Sequence, residues 1–227
     1  MSVAPFPIPR GALVVSCQAR PDNPLHGPGH MAAMARAAEQ GGAVGLRANG
    51  VDDITAIRAA TGLPVIGIAK RFDEGFPVYI TPDLASALAI AAAGARAIAV
   101  DATARPRRGE PIERLLPLIR SRTGLPVMAD ITTFEEGEHA AALGADAVAT
   151  TLSGYTDETA HLRERGPDLD LVSALAQRLD IPVIAEGRFE TPDQVREALN
   201  RGAHAVVVGT AITNPREITR RFVQALG

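Results

Sequence analysis

The chain has 227 residues, 23 Lys and Arg against 26 Asp and Glu, a formal net charge of -3 and 46% hydrophobic residues. That balance excludes a basic surface for nucleic acid or an anionic membrane, and the length can bury a substantial core without metals or disulfides. One cysteine excludes a disulfide within the chain and fits a reducing, cytoplasmic compartment; residues 1–10 carry three prolines in place of a signal peptide, and no apolar run approaches a membrane span.

Eight short apolar runs follow one another along the chain. Residues 12–16 precede Gln18, 43–46 precede Arg47, 64–69 precede Lys70, and 97–100 precede Asp101. Residues 126–129 then precede Asp130, 145–149 precede Thr150, 182–185 precede Glu186, and 205–208 precede Gly209. The runs are apolar throughout, as parallel strands buried on both faces are. Two kinds of lead-in alternate. A proline opens the third, fifth and seventh runs at Pro64, Pro126 and Pro182, while glycine-led segments at Gly41, Gly94, Gly144 and Gly202 introduce the even-numbered ones.

Helical spacing fills the intervals, with Leu84, Ala87, Leu88 and Ala91 on one stripe and Val172, Leu175, Ala176 and Leu179 on another. Ile218, Phe222 and Ala225 form a last stripe. Thr81-Pro82-Asp83, Thr191-Pro192-Asp193 and Asn214-Pro215 read as a capping residue followed by a proline in the first turn. The expectation is one α/β domain over residues 1–227, a (β/α)8 TIM barrel with residues 1–10 as an N-terminal extension. A doubly wound open sheet is the rival, but it has no need of two alternating lead-ins through eight units.

In such a barrel all eight strand ends meet at one mouth, where the chemistry is held. Gly187 and Arg188 after the seventh run, with Gly209 and Thr210 after the eighth, sit where these barrels form a phosphate cup from backbone N–H groups. Their other reading is that the glycines only turn the chain. Lys70 closes an apolar strand, so it is either a desolvated base or Schiff-base lysine, or a partner for Asp101 or Asp130. Glu186 stands four strands away, across the mouth. Two proton-transfer groups on opposite sides of a substrate suit inversion at one carbon. Gln18, Arg47, Asp101 and Asp130 complete the ring, as ligands for the polar groups of a substrate or as internal salt bridges. No metal is expected: Gly27-Pro28-Gly29 separates His26 from His30, and His139, His161 and His204 are scattered. Cys17 reads as a small packed residue. These residues imply proton chemistry on a small phosphorylated molecule without a cofactor.

At these positions the chain resembles the N-acetylmannosamine-6-phosphate 2-epimerase family of phosphate-binding barrels, the ribulose-phosphate-binding type. The resemblance is carried by Val15-Ser16-Cys17-Gln18-Ala19, Gly45-Leu46-Arg47-Ala48-Asn49-Gly50, Gly67-Ile68-Ala69-Lys70, Val78-Tyr79-Ile80-Thr81-Pro82, Ala129-Asp130-Ile131, Thr150-Thr151-Leu152-Ser153-Gly154-Tyr155-Thr156, Ala185-Glu186-Gly187-Arg188 and Val208-Gly209-Thr210. It implies interconversion of N-acetylmannosamine 6-phosphate and N-acetylglucosamine 6-phosphate in sialic-acid breakdown. It casts Lys70 as the group that takes the proton from carbon 2 and Glu186 as its acidic counterpart. It places Gln18, Arg47, Asp130, Asp101 and Thr151 against the sugar, and Gly187, Arg188, Gly209 and Thr210 around the phosphate. Thr132, Phe189, Thr210 and Asn214 depart from the family's more frequent residues, and Arg105, Arg107 and Arg108 make that loop unusually basic. A hexulose-phosphate synthase, a pentulose-phosphate epimerase and a non-catalytic sugar-phosphate sensor remain the alternatives. One-base and two-base schemes are both open. For assembly the sequence offers only the commonest form, a homodimer.

Overall fold

Strands β1 (Ala12–Cys17), β2 (Gly45–Asn49), β3 (Val65–Ile68), β4 (Ala97–Asp101), β5 (Val127–Asp130), β6 (Ala147–Ala149), β7 (Val183–Glu186) and β8 (Ala205–Val208) pair in parallel. β8 returns to β1, closing the barrel in sequence order. The structure is a computed structural model and describes residues 3–226. Helices α1 (Pro28–Gln40), α2 (Val51–Ala60), α3 (Leu84–Ala92), α4 (Ile112–Thr123), α5 (Phe134–Ala142), α6 (Leu169–Arg178) and α7 (Pro192–Asn200) follow successive strands. A single turn, α8 (Thr210–Thr213), and α9 (Pro215–Gln224) follow β8.

Strand alternation divides the apolar residues into two cores. Val15, Leu46, Val65, Ile98, Val127, Val148, Val183 and Val206 point outward and pack under the helices. Val14, Ile66, Ile68, Ala97, Ala99, Met128, Ile184 and Val207 point inward and fill the barrel. Six of the inward residues are alanines, Ala12, Ala97, Ala99, Ala147, Ala149 and Ala205, small side chains at the axis. Ile8 enters from the closed end, with Phe6 packed beside it. His204 Nε2 lies 2.8 Å from the Ile8 carbonyl, and Gly11 N–H donates to the His204 carbonyl. So Ile8, with Phe6 beside it, plugs the closed end of the barrel; Met1 and Ser2 lie outside the described residues.

Three local expectations shift. The second strand begins at Gly45, not at residue 43, because the N–H groups of Gly42 and Ala43 bond back to Glu39 and Ala38 and finish α1. Arg47 therefore sits in mid-strand, pointing inward. α3 is capped by Asp83, whose carboxylate accepts from Ser86 N at 2.8 Å, and not by Thr81. Its buried stripe is Ser86, Ala87 and Ile90, with Leu88 outside. The α9 stripe stays uncovered: no residue of that helix is buried, and Phe222 is 74% exposed. Thr191 and Asn214 do cap α7 and α9, each with proline in the first turn.

Candidate active site

The next inward step beyond the apolar layer is polar on every strand but β8, where it is Gly209. Counting by twos brings Gln18, Arg47, Lys70, Asp101, Asp130, Thr151, Glu186 and Gly209 to the same mouth. At its centre lies Arg47, 1% exposed. Its Nη2 donates to Asp130 Oδ2 at 2.5 Å and its Nη1 to Asp130 Oδ1 at 3.1 Å, a two-point pairing. Nη1 also donates to Glu186 Oε2, so one guanidinium from β2 joins β5 to β7. Burial alone would weaken the Arg47 charge, but the Asp130 and Glu186 carboxylates overcome that cost and keep it protonated. The salt-bridge reading of Arg47 and Asp130 is thus realised, and it draws in Glu186.

Lys70 differs from these groups. Among the described residues it forms no ion pair, with Asp101, Asp130 or any other carboxylate. Desolvation, followed by the like charge of Arg47, pulls its ammonium down to about 8 despite the opposing pull of Glu186. Its side chain still meets solvent at the open mouth. Its backbone is held firmly, with N–H donating to Asn49 Oδ1 at 2.7 Å and an antiparallel bridge to Ile80. Beside it Thr81 takes a positive φ of 46, unusual for a β-branched residue. The buried Thr81 hydroxyl accepts from Ala69 N at 3.1 Å and donates to the Ala99 carbonyl at 2.7 Å. That engagement explains why Thr81 does not cap α3.

Glu186 is pushed up chiefly by burial, with Arg47 opposing and Asp130 adding to the rise. Asp101 turns to its own loop: Oδ2 pairs with Arg105 at 2.6 Å and Oδ1 accepts from Thr103. It braces the loop after β4. Gln18 Nε2 donates to Ser16 Oγ at 2.8 Å, while Gln18 Oε1 and Arg47 Nε are buried with no partner among the described residues. Such orphaned atoms at a polar mouth suit a ligand that supplies the missing partners.

Gly187 has φ 108, a conformation that favours glycine, and its N–H and that of Arg188 meet no acceptor among the described residues. Gly209 precedes α8, whose first N–H groups at Thr210 and Ala211 have no place in the helix ladder. Glu186 pairs with Val207 across β7 and β8, so these free N–H groups leave the ends of neighbouring strands. The Arg188 guanidinium is engaged elsewhere, donating to the carbonyls of Ser153 and Gly166 and lying 5.6 Å from the Tyr155 ring centroid. It ties down the loop after β6. Cys17 points outward and is fully buried, which pushes its thiol up to about 12. Among the described residues no cluster of three or more His, Cys, Asp or Glu could hold a metal ion.

Sequence reasoning passed over Asn49, Tyr79 and Thr81 as site residues. Tyr79 packs against the barrel interior close to Asp130 and Asp101, and its ring stacks on Phe72 at 5.1 Å. Its two-residue spacing from Thr81, and its place in the family-matching segment 78–82, were the signals for that position.

Comparison with known proteins gives a consistent outcome. A family model described as "Putative N-acetylmannosamine-6-phosphate epimerase" matches residues 31–227. Two relatives named "Putative N-acetylmannosamine-6-phosphate 2-epimerase" come from Caldanaerobacter subterraneus subsp. tengcongensis and Cutibacterium acnes. They are 50% and 49% identical, over 93% and 95% of this chain and 89% and 94% of their own. The structure of the N-acetylmannosamine-6-phosphate 2-epimerase from Clostridium perfringens superposes with a TM-score of 0.91 at 44% identity. It covers 95% of this chain and 93% of that one. A thiamine phosphate pyrophosphorylase from Pyrococcus furiosus, at 18% identity and TM-score 0.62, shares the fold alone.

Proposed function

The chain belongs to the N-acetylmannosamine-6-phosphate epimerase family, and from that footing we propose that it interconverts N-acetylmannosamine 6-phosphate and N-acetylglucosamine 6-phosphate, an isomerase step of sialic-acid breakdown. The observation that carries the reading is the unpaired Lys70, drawn down to about 8 and facing the strand that bears Glu186. In the open-chain sugar the carbon 1 aldehyde makes the carbon 2 proton acidic. The Lys70 Nζ lone pair takes that proton, and the C–H bonding pair becomes the enolate. The Glu186 carboxyl then gives a proton to the opposite face, leaving a carboxylate. Solvent carries the proton from the Lys70 ammonium back to Glu186. The Arg47 charge favours both the neutral lysine and the enolate.

Gln18, Arg47, Asp130, Asp101 and Thr151 are proposed to surround the sugar, with Arg47, Asp101 and Thr151 acting through neighbours they already hold. The phosphate is assigned to the N–H groups of Gly187, Arg188, Gly209 and Thr210. Residues 1–227 are proposed as one domain, with Ile8 and Phe6 closing its lower end. A cytoplasmic location is supported by the single free thiol. A homodimer is supported by the exposed Phe222, Val223 and Leu226 near the C-terminus, and light scattering reads it directly.

Lys70→Ala and Glu186→Gln test the chemistry. The first variant loses carbon 2 exchange while the sugar phosphate still binds; the second loses epimerisation. Near-native turnover by either variant removes that residue from the mechanism.

A further inference from the structure

Thr151 lies one inward step beyond β6, between the two carboxylates of the mouth. Its Oγ1 is 2.8 Å from Asp130 Oδ1 and 3.0 Å from Glu186 Oε2, and accepts from Arg47 Nη1 at 3.2 Å. A hydroxyl carries one hydrogen, so it donates to one carboxylate at a time. Arg47 is fixed by its two-point grip on Asp130 and has no such freedom. We propose that Thr151 is a two-position donor, turning its hydrogen to Glu186 when that carboxylate is ionised and to Asp130 when Glu186 holds a proton. Thr151 is thus a positioning residue that acts through Glu186, and the inference rests on the acid role given to Glu186 above.

The geometry supplies a reason for such a pivot. With Glu186 ionised, two buried carboxylates share one guanidinium, and the second negative charge needs a further donor. With Glu186 protonated, Asp130 is the only carboxylate of the pair still charged, and it takes the hydroxyl. Rotation about one bond satisfies both states without moving a heavy atom, the arrangement expected where charge changes during a reaction. The other charged or titratable groups facing Glu186 are Arg47 on β2, Asp130 on β5, Lys70 after β3 and Tyr155 in the loop after β6. None of these can turn a neutral hydrogen between the two carboxylates. Burial already pushes Glu186 up, so losing the hydroxyl pushes it further.

The test is a carboxyl-carbon NMR titration of the full chain labelled in its glutamates, with Glu186 assigned through Glu186→Gln. It is run on wild type, Thr151→Val and Thr151→Ser. Thr151→Val is expected to raise the Glu186 midpoint by roughly one pH unit, the size of one lost bond to a charged group. Thr151→Ser stays near wild type. The limb of kcat against pH on which activity falls as Glu186 ionises moves with the midpoint, while KM for the sugar phosphate holds. An unmoved midpoint in Thr151→Val overturns the pivot, as does a Thr151→Ser shift equal to that of valine. A change confined to KM would make Thr151 a sugar ligand instead. If Thr151→Val does not fold, Thr151→Ala carries the same titration. The acid role of Glu186 fails separately, through near-native turnover in Glu186→Gln, whatever the midpoints do.

Discussion

The two ends of the barrel's interior are built from the same strands and differ by one step of alternation. Toward the closed end Ile66, Ile68, Met128 and Ile184 meet Ile8 in an apolar plug. Two residues further along the same strands stand Lys70, Asp130 and Glu186. The lower layer is satisfied by contact and needs no partner chosen by charge. In the upper layer Arg47 holds Asp130 and Glu186, Arg105 holds Asp101, and Lys70 is left out of every ion pair among the described residues. A rigid apolar floor thus holds a polar layer whose charges are deliberately unequal in their partners, and the unequal member is the proposed base.

The largest expected effect falls on that member. Lys70→Ala should cut turnover by roughly a thousandfold or more, on the scale of a lost general base, with the thermal transition almost unchanged. Loss of stability alongside loss of turnover would blur the distinction between the layers. Arg47→Met tests the opposite trait. It leaves Asp130 and Glu186 buried without their cation, which should cost about 3–5 kcal/mol in denaturant unfolding. Ile8→Ala strikes the floor alone and should cost about 2 kcal/mol while leaving KM near wild type. A large KM change there would show that the plug shapes the mouth as well as closing the base. The smallest effect is one of pH. Only neutral Lys70 can accept a proton, so kcat/KM should climb as pH rises through about 8. A limb near the ordinary lysine value would mean that desolvation at the mouth and the Arg47 charge do not act on Lys70.

Much of this was legible before the fold. The eight runs and their alternating lead-ins depend on neighbours in the chain, and the barrel follows from them. The positions of Lys70, Asp130 and Glu186 follow because a strand end is a local feature. What stayed hidden was long-range pairing. Nothing near Arg47 marks it as the residue that joins β5 to β7, and nothing near Arg188 marks its guanidinium for the carbonyls of Ser153 and Gly166. Thr81-Pro82-Asp83 reads as a cap at Thr81 with a proline in the first turn, but Thr81 is taken up by Ala69 and Ala99 and the cap falls to Asp83. Periodicity likewise drew the Ile218, Phe222 and Ala225 stripe without saying that the barrel would leave it bare.

Proton NMR of the protein with N-acetylmannosamine 6-phosphate in heavy water, with and without chelator, tests the central claim most directly. The expected product is the N-acetylglucosamine epimer, deuterated at carbon 2, formed at a rate that chelator does not change. Folded protein that neither exchanges that proton nor forms the epimer would contradict it.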